Sequence, residues 1–205
     1  MKKIIFADIS MKEELKAVCY KGTGNAFCNY EKPVVYPINA ILAEKLKKDE
    51  NVKIVLIQTN GDKERVATNT EIFKDELNSI NKNIGAIISY IEIQSDFKEE
   101  KENYEQRIMK MLEQIETEAE LYGDITFGPR TVPMIMLCAF AFAEKFFDAD
   151  IKKIVYGKVD WLDDKPKNPE LYDITSMHYL NSLTYNMQAN TTEKAMQSLK
   201  TFFSL

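Results

Sequence analysis

The chain is expected to be an α/β protein: a Rossmann-like, doubly wound, mainly parallel sheet with helices on both faces and a C-terminal helical tail. Three observations predict this. Short apolar segments alternate with longer segments of helical period. The apolar segments are too uniformly hydrophobic to leave a sheet face in water, which is the mark of parallel strands covered on both sides. The connections are long enough for right-handed βαβ crossovers.

Taken in order, KKIIFAD (Lys2 to Asp8) reads as the opening strand, VKIVLIQ (Val52 to Gln58) as the second and AIISYIEIQ (Ala86 to Gln94) as the third. AELYGDI (Ala119 to Ile125) is a fourth, Lys152 to Tyr156 a fifth, and LYDI (Leu171 to Ile174) a sixth at an edge. Helical patterns fall at about Pro37 to Lys48, Lys63 to Asn83, Phe97 to Glu118 and Thr131 to Phe147. The first strand and first helix are separated by a long insertion, Ile9 to Tyr36, expected as a turn or hairpin above the sheet edge. After Thr175, Met177 to Met187 and Thr192 to Phe203 read as two helices, so the expected division is a domain over 1–175 and helices over 176–205 that serve a dimer contact or lead to an effector.

Composition limits the function classes. With 205 residues, 45% of them hydrophobic and 29% charged, the chain can bury a core without crosslinks. A formal net charge of −5 gives no electrostatic footprint for duplex DNA or an anionic membrane, although it leaves room for a small basic pocket. The longest apolar run, Met134 to Ala143, is about half of a membrane span, and Met1 to Ser10 lacks the layout of a signal peptide, so a cytoplasmic location is expected. Cys19, Cys28 and Cys138 are odd in number and far apart, and His178 is the single histidine. Neither a structural zinc site nor a Ser-His-Asp triad can be assembled, and no metal is expected.

The most informative stretch is DITFGPRTVP (Asp124 to Pro133), a strand running through a polar turn into an apolar helix. The first amides of a helix lack intrahelical partners and carry the positive end of its dipole. Gly128 lets a ligand approach the backbone, Arg130 adds a planar guanidinium, and Pro133 sits where a missing N–H does no harm. This favours a phosphate or carboxylate; a buried, well-capped helix is the alternative, and Arg130 paired to Asp124 or Asp8 is another. In a doubly wound sheet the loops at the strand carboxyl ends border the site. Those are Asp8, Ile9, Ser10 and Met11 after the first strand, Thr59 to Asp62 (with Asn60) after the second, and Thr126, Phe127, Gly128, Pro129, Arg130 and Thr131 after the fourth. Thr59 to Gly61 equally fits an ordinary turn. KGTGN (Lys21 to Asn25) lacks the third glycine of a dinucleotide fingerprint and does not directly follow the first strand. Trp161 to Pro169 reads as a surface turn, His178 as a surface or interface residue, and Lys98 to Glu120 as a solvated helix face.

Asp124 to Pro133, then Ile154-Val155-Tyr156-Gly157 and Tyr172-Asp173-Ile174-Thr175, together resemble in order and spacing the CRISPR-associated Rossmann fold (CARF) domains of type III systems. Gly22 to Asn25 is similar to a Gly-Thr-Gly-Asn turn near the N-terminus of one subgroup. Thr126, Gly128 and Arg130 match the family's first motif, whereas Phe127 stands where histidine is usual and Pro129 where an aromatic residue is common. The resemblance implies a homodimeric sensor whose strand-end faces form one pocket on the two-fold axis for a cyclic oligoadenylate, a tetra- or hexa-adenylate RNA ring, with no other cofactor. It implies that Thr126 to Thr131 face phosphates, that Asp8 to Met11 face ribose or base, and that Asn25, Asn60 and Phe127 are candidates for adenine. A fused or associated antiviral effector is implied as well; no nuclease or deaminase signature is present, and the helix ending at Leu205 favours the sensory part of something longer. A second expectation is a ring nuclease using Ser10, Thr126 and Arg130 to cleave its own ligand without metal. A third is a Rossmann-like nucleotide-binding protein unrelated to CRISPR.

Overall fold

A computed structural model describes residues 2–24, 28–96, 98 and 100–204, the side chains of residues 60 and 95 excepted. The chain forms two compact units, Met1–Thr175 and Ser176–Leu205. The first is a doubly wound α/β domain, as the alternation of apolar segments predicts.

Its elements run β1 (Lys3–Asp8), β2 (Lys21–Thr23), α1 (Pro37–Lys45), β3 (Asn51–Asn60), α2 (Lys63–Asn81), β4 (Ile87–Asp96), α3 (Lys101–Leu112), β5 (Glu120–Asp124), α4 (Val132–Phe146), β6 (Asp150–Leu162) and β7 (Lys165–Asp173). The sheet order is β2-β7-β6-β5-β1-β3-β4. From β1 the chain winds outward through α1, β3, α2 and β4, returns by α3 to the other side of β1, and winds outward again through β5, α4 and β6. The strand order therefore reverses between β1 and β5, which pair in parallel from Lys3 and Glu120 to Ala7 and Asp124. The carboxyl ends of these two strands flank the crevice where ligands of such sheets bind.

Period-two alternation along the strands builds two cores. Ile5, Ala7, Ile54 and Leu56 point to the face covered by α1 and α2, with Tyr36, Phe73 and Leu77. Ile4, Phe6, Val55 and Ile57 point to the face covered by α3 and α4, with Met111, Met136 and Phe140. Gly123 on β5 makes the second packing possible, because a Cβ there would come within 2.6 Å of Met136 Sδ and 3.2 Å of Phe140. The apolar helix predicted at Thr131 to Phe147 is α4, with Pro133 in its first turn.

Four expectations need correction. The helix expected over Phe97 to Glu118 is shorter, Lys101–Leu112, because β4 continues to Asp96 and the segment after Leu112 must bury Ile115 and Ala119 on its way into β5. The strands expected at Lys152 to Tyr156 and Leu171 to Ile174 are parts of a long antiparallel hairpin, β6 and β7, so Trp161 to Pro169 is mostly strand. Asp163 and Asp164 turn this hairpin with φ of 50° and 58°, the two left-handed residues of a type I′ turn. The prolines obscured it: Pro169 follows a register shift at which Asn168 is left-handed (φ 46°), a bulge that removes the need for a ladder donor. Nor is β7 an edge, since Lys21 to Thr23 add a parallel strand outside it. The insertion is accordingly not a hairpin above the edge. It lends β2 to the sheet, and an antiparallel bridge between Val18 and Val34 closes its second half.

The second unit contains α5 (Thr175–Asn186, beginning on the last residue of the first unit) and α6 (Thr192–Phe203), the latter started by the Thr191 hydroxyl, which accepts from Lys194 N at 3.3 Å. Among the described residues, no helix is long and apolar enough to cross a membrane.

Candidate functional site

The turn between β5 and α4 is braced by its first three residues. Asp124 accepts from Thr126 N at 2.9 Å and from Ile38 N, in the first turn of α1, at 3.2 Å. Thr126 Oγ1 accepts from Gly157 N of β6 at 2.8 Å, and Ile125 N donates to Val155 O. The same device recurs at the end of β7. Asp173 accepts from both the backbone and the hydroxyl of Thr175, Thr175 Oγ1 accepts from Ile154 N at 2.9 Å, and Ile174 N donates to Ile154 O. The two Asp-Ile-Thr triplets are thus strand-end clamps that tie β5 and β7 to the backbone of β6. Asp124 and Thr126 spend their polar atoms on this bracing.

Beyond the clamp, Phe127 packs edge-on against Tyr36 with ring centroids 5.2 Å apart. Gly128 takes φ of 87°, and its backbone lies so close to β1 that an added Cβ would overlap the Asp8 carboxyl group. Pro129 O accepts from Val132 N at 3.0 Å, Thr131 stands at the N-cap of α4, and Arg130 is exposed, without an ion pair among the described residues. The pairing of Arg130 with Asp124 or Asp8, considered from sequence, does not form.

Asp8 is the least ordinary group of the site. It is 2% exposed, and neither carboxylate oxygen has a hydrogen-bond partner among the described residues. Burial holds its carboxyl well above the usual carboxylate range; Arg107 opposes this and Asp124 adds to it. Arg107, itself buried on α3, donates to Asp96 O at 2.9 Å. Burial raises Asp124 too, against the hydrogen bonds from Thr126 and Ile38.

The structure gathers the remaining candidates at the same strand ends but mostly inside. Ile9 is core. Ser10 is 1% exposed; its hydroxyl accepts from Lys12 N at 3.2 Å and its carbonyl from Asn69 Nδ2 at 2.7 Å. Met11 is half-buried beside Gly61. Thr59 is fully buried on the α3 and α4 side, Asn60 ends β3, and Asn25 lies outside the described residues. What stands open to a ligand is the tip, Gly128 and Arg130, flanked by the half-buried Pro129 and Thr131.

A cavity of about 200 Å³ adjoins the turn on its β6 side, lined among others by Lys12, Lys16, Tyr20, Thr126, Phe127 and Trp161. Sequence reasoning missed Lys12, Lys16 and Trp161, because the hairpin that brings Trp161 to the strand ends was read as a loop. A larger groove lies between α2 and the edge of β4, bordered by Gln58, Thr70, Glu71, Glu92 and Gln94. Lys74 bridges two of its lining carboxylates, Glu71 at 2.9 Å and Glu92 at 2.7 Å, and the lysine in the lining itself is Lys63, without an ion pair among the described residues.

No family model matches the chain, and no characterised protein shows significant sequence similarity to it.

Proposed function

We propose that the chain is a sensor that binds a cyclic oligoadenylate, with two copies facing each other across a two-fold axis so that each Gly128 to Thr131 turn meets the phosphates. The observation that carries this reading is Arg130: exposed, without an ion pair among the described residues, and close to a left-handed glycine at the N-terminus of α4 and at the switch point of the sheet. A guanidinium so placed forms charge-assisted bonds to a phosphate that arrives with the helix-end amides. The resemblance of the Asp124 to Pro133, Ile154 to Gly157 and Tyr172 to Thr175 motifs to CARF domains gives the ligand its identity. A symmetric ring of even membership suits a two-fold site. The helices over 176–205 would pass the bound state to an antiviral effector.

Binding is favoured over ring cleavage. A nuclease of this kind needs polar groups free to align a ribose hydroxyl with phosphorus, whereas the Ser10 hydroxyl is buried and the Thr126 hydroxyl is engaged with Gly157.

Calorimetric titration with cyclic tetra-adenylate and hexa-adenylate, followed by chromatography of the recovered ligand, tests the proposal. One ring per two chains, recovered intact, is expected. Arg130→Ala should weaken it by roughly 1.5–3 kcal/mol, the range of a bond to a charged group. Absence of heat with both rings would overturn the reading, and linear products would replace the sensor with a ring nuclease.

A further inference from the structure

The cavity beside the turn combines two features that the phosphate-facing tip does not explain. Trp161 is the chain's single tryptophan, and it stands 43% exposed on the distal half of β6. Lys16 Nζ lies 5.5 Å from its ring centroid. Neither is needed to hold the hairpin. β6 and β7 are already paired from Val155 and Asp173 to Leu162 and Lys165, and the ion pair between Lys16 and Asp164, at 3.7 Å, has side chains 40% and 97% exposed, so it adds little stability. Trp161 thus presents a partly open π-face beside a cation in the lining of the cavity.

The chemistry of the lining is specific. Tyr20 and Phe127 supply apolar surface, Trp161 supplies a π-face, and Lys12 supplies positive charge within the same cavity of about 200 Å³, where Lys16 is shared between Glu14 of the lining at 4.0 Å and Asp164 at 3.7 Å. Lys12 has no ion pair among the described residues. Planar π-surface together with ammonium groups is what a nucleobase carrying a phosphate requires. The volume lies below the usual range for a whole drug-sized ligand, which limits the occupant to one base. Thr126 and Phe127 belong both to this lining and to the β5–α4 turn, so a base held here lies beside that turn.

We propose that this slot is a base subsite: one adenine of the bound oligonucleotide stacks on Trp161 while Lys12 neutralises the adjoining phosphate. The assignment of the base as adenine rests on the sensor reading above; the nucleotide-binding slot itself rests on the cavity and its lining.

Because Trp161 is the chain's only tryptophan, its emission reports the slot alone. The intact protein would be titrated with adenosine 5′-monophosphate and with cyclic tetra-adenylate and hexa-adenylate, reading tryptophan fluorescence and heat in parallel, with ribose 5-phosphate as the baseless control. Saturable quenching by the monophosphate and by a ring, but not by ribose 5-phosphate, is expected. By calorimetry Trp161→Ala should weaken binding about tenfold or more, the order of one lost base stack, and Trp161→Phe, which keeps an aromatic face, should stay within about threefold of the parent. Ring binding by calorimetry with unchanged emission would overturn the slot and leave the sensor standing. Quenching by the monophosphate without heat from either ring would keep the slot as a mononucleotide site and overturn the sensor reading. Unchanged emission with every adenine probe, together with no ring heat, would overturn both.

Discussion

The backbone of Gly128 presses directly against the carboxyl group of Asp8, so that the tip of the β5–α4 turn closes over the end of β1. This contact makes the strand ends on either side of the switch point one structure. It also leaves Asp8 beneath the turn with no hydrogen-bond partner among the described residues.

Substituting Gly128 by alanine should therefore be costly twice over. Its φ of 87° lies where side chains are strained, and the new methyl group would collide with Asp8. A loss of roughly 1–3 kcal/mol is expected from the backbone alone, read from urea denaturation. A midpoint equal to the parent's would mean that the turn does not pack on Asp8.

Asp8→Asn should stabilise the protein near neutral pH. The folded carboxyl holds its proton more tightly than the unfolded one, so its contribution is intact below the ordinary value near 3.8 and is lost as pH rises above it. Asparagine cannot ionise and so removes that loss. The advantage should grow with pH from about 4 upward; thermal melts at acid and neutral pH check this, and a variant equally offset at both would contradict it. Glu76, raised in the same direction, remains in both proteins and cancels, and Asp124 is relieved of the Asp8 charge in the variant, which acts in the same sense.

Glu76→Ala should unfold the insertion from α2. One Glu76 oxygen accepts from Val35 N at 2.6 Å, and the other accepts from Tyr36 N at 3.2 Å and Asn39 Nδ2 at 2.7 Å. Each donor left unpaired costs roughly 1–3 kcal/mol. Hydrogen exchange at Val35 and Tyr36 should accelerate; unchanged protection would show that other groups hold them.

Asp164→Gly should stabilise the β6–β7 hairpin by about 0.5–1 kcal/mol, because glycine adopts the left-handed second position of the turn without the Cβ penalty. The Lys16 bond of 3.4 Å to the carbonyl of residue 164 survives the change. A lower melting temperature would argue that the exposed Asp164 carboxylate matters more than the turn.

Arg130→Ala should leave stability within about 0.5 kcal/mol of the parent, as for a surface side chain with no ion pair among the described residues. A larger loss in denaturant titration would mean that the guanidinium serves the fold, and would remove it as the ligand anchor.

Much of the fold was legible because a strand or helix announces itself by local period. Lys3 to Asp8, Asn51 to Asn60 and Val132 to Phe146 needed no partners to be recognised. The hairpin was not legible, since a type I′ turn of two aspartates and a bulge at Asn168 are backbone choices that Pro166 and Pro169 disguise. The candidate residues at the β1 and β5 ends do come together, yet the sequence did not sort exposed from buried among them. Asp8, Ser10 and Thr59 look as available in sequence as Arg130, and only the packing of α4, α2 and the insertion buries them.

The amino-acid sequence by itself determined the alternation of elements, the two-sided core of the central strands β1 and β3, and the Asp-Ile-Thr turns whose first bonds are made within two residues. Tertiary structure alone decided which strands became neighbours, that Gly128 lies on Asp8, that Arg107 in a charged helix is buried, and that Glu76 holds a backbone 41 residues away. The division follows from range: hydrophobic period and turn chemistry act over a few residues, whereas burial and partnership are set by segments that meet only when the sheet is assembled.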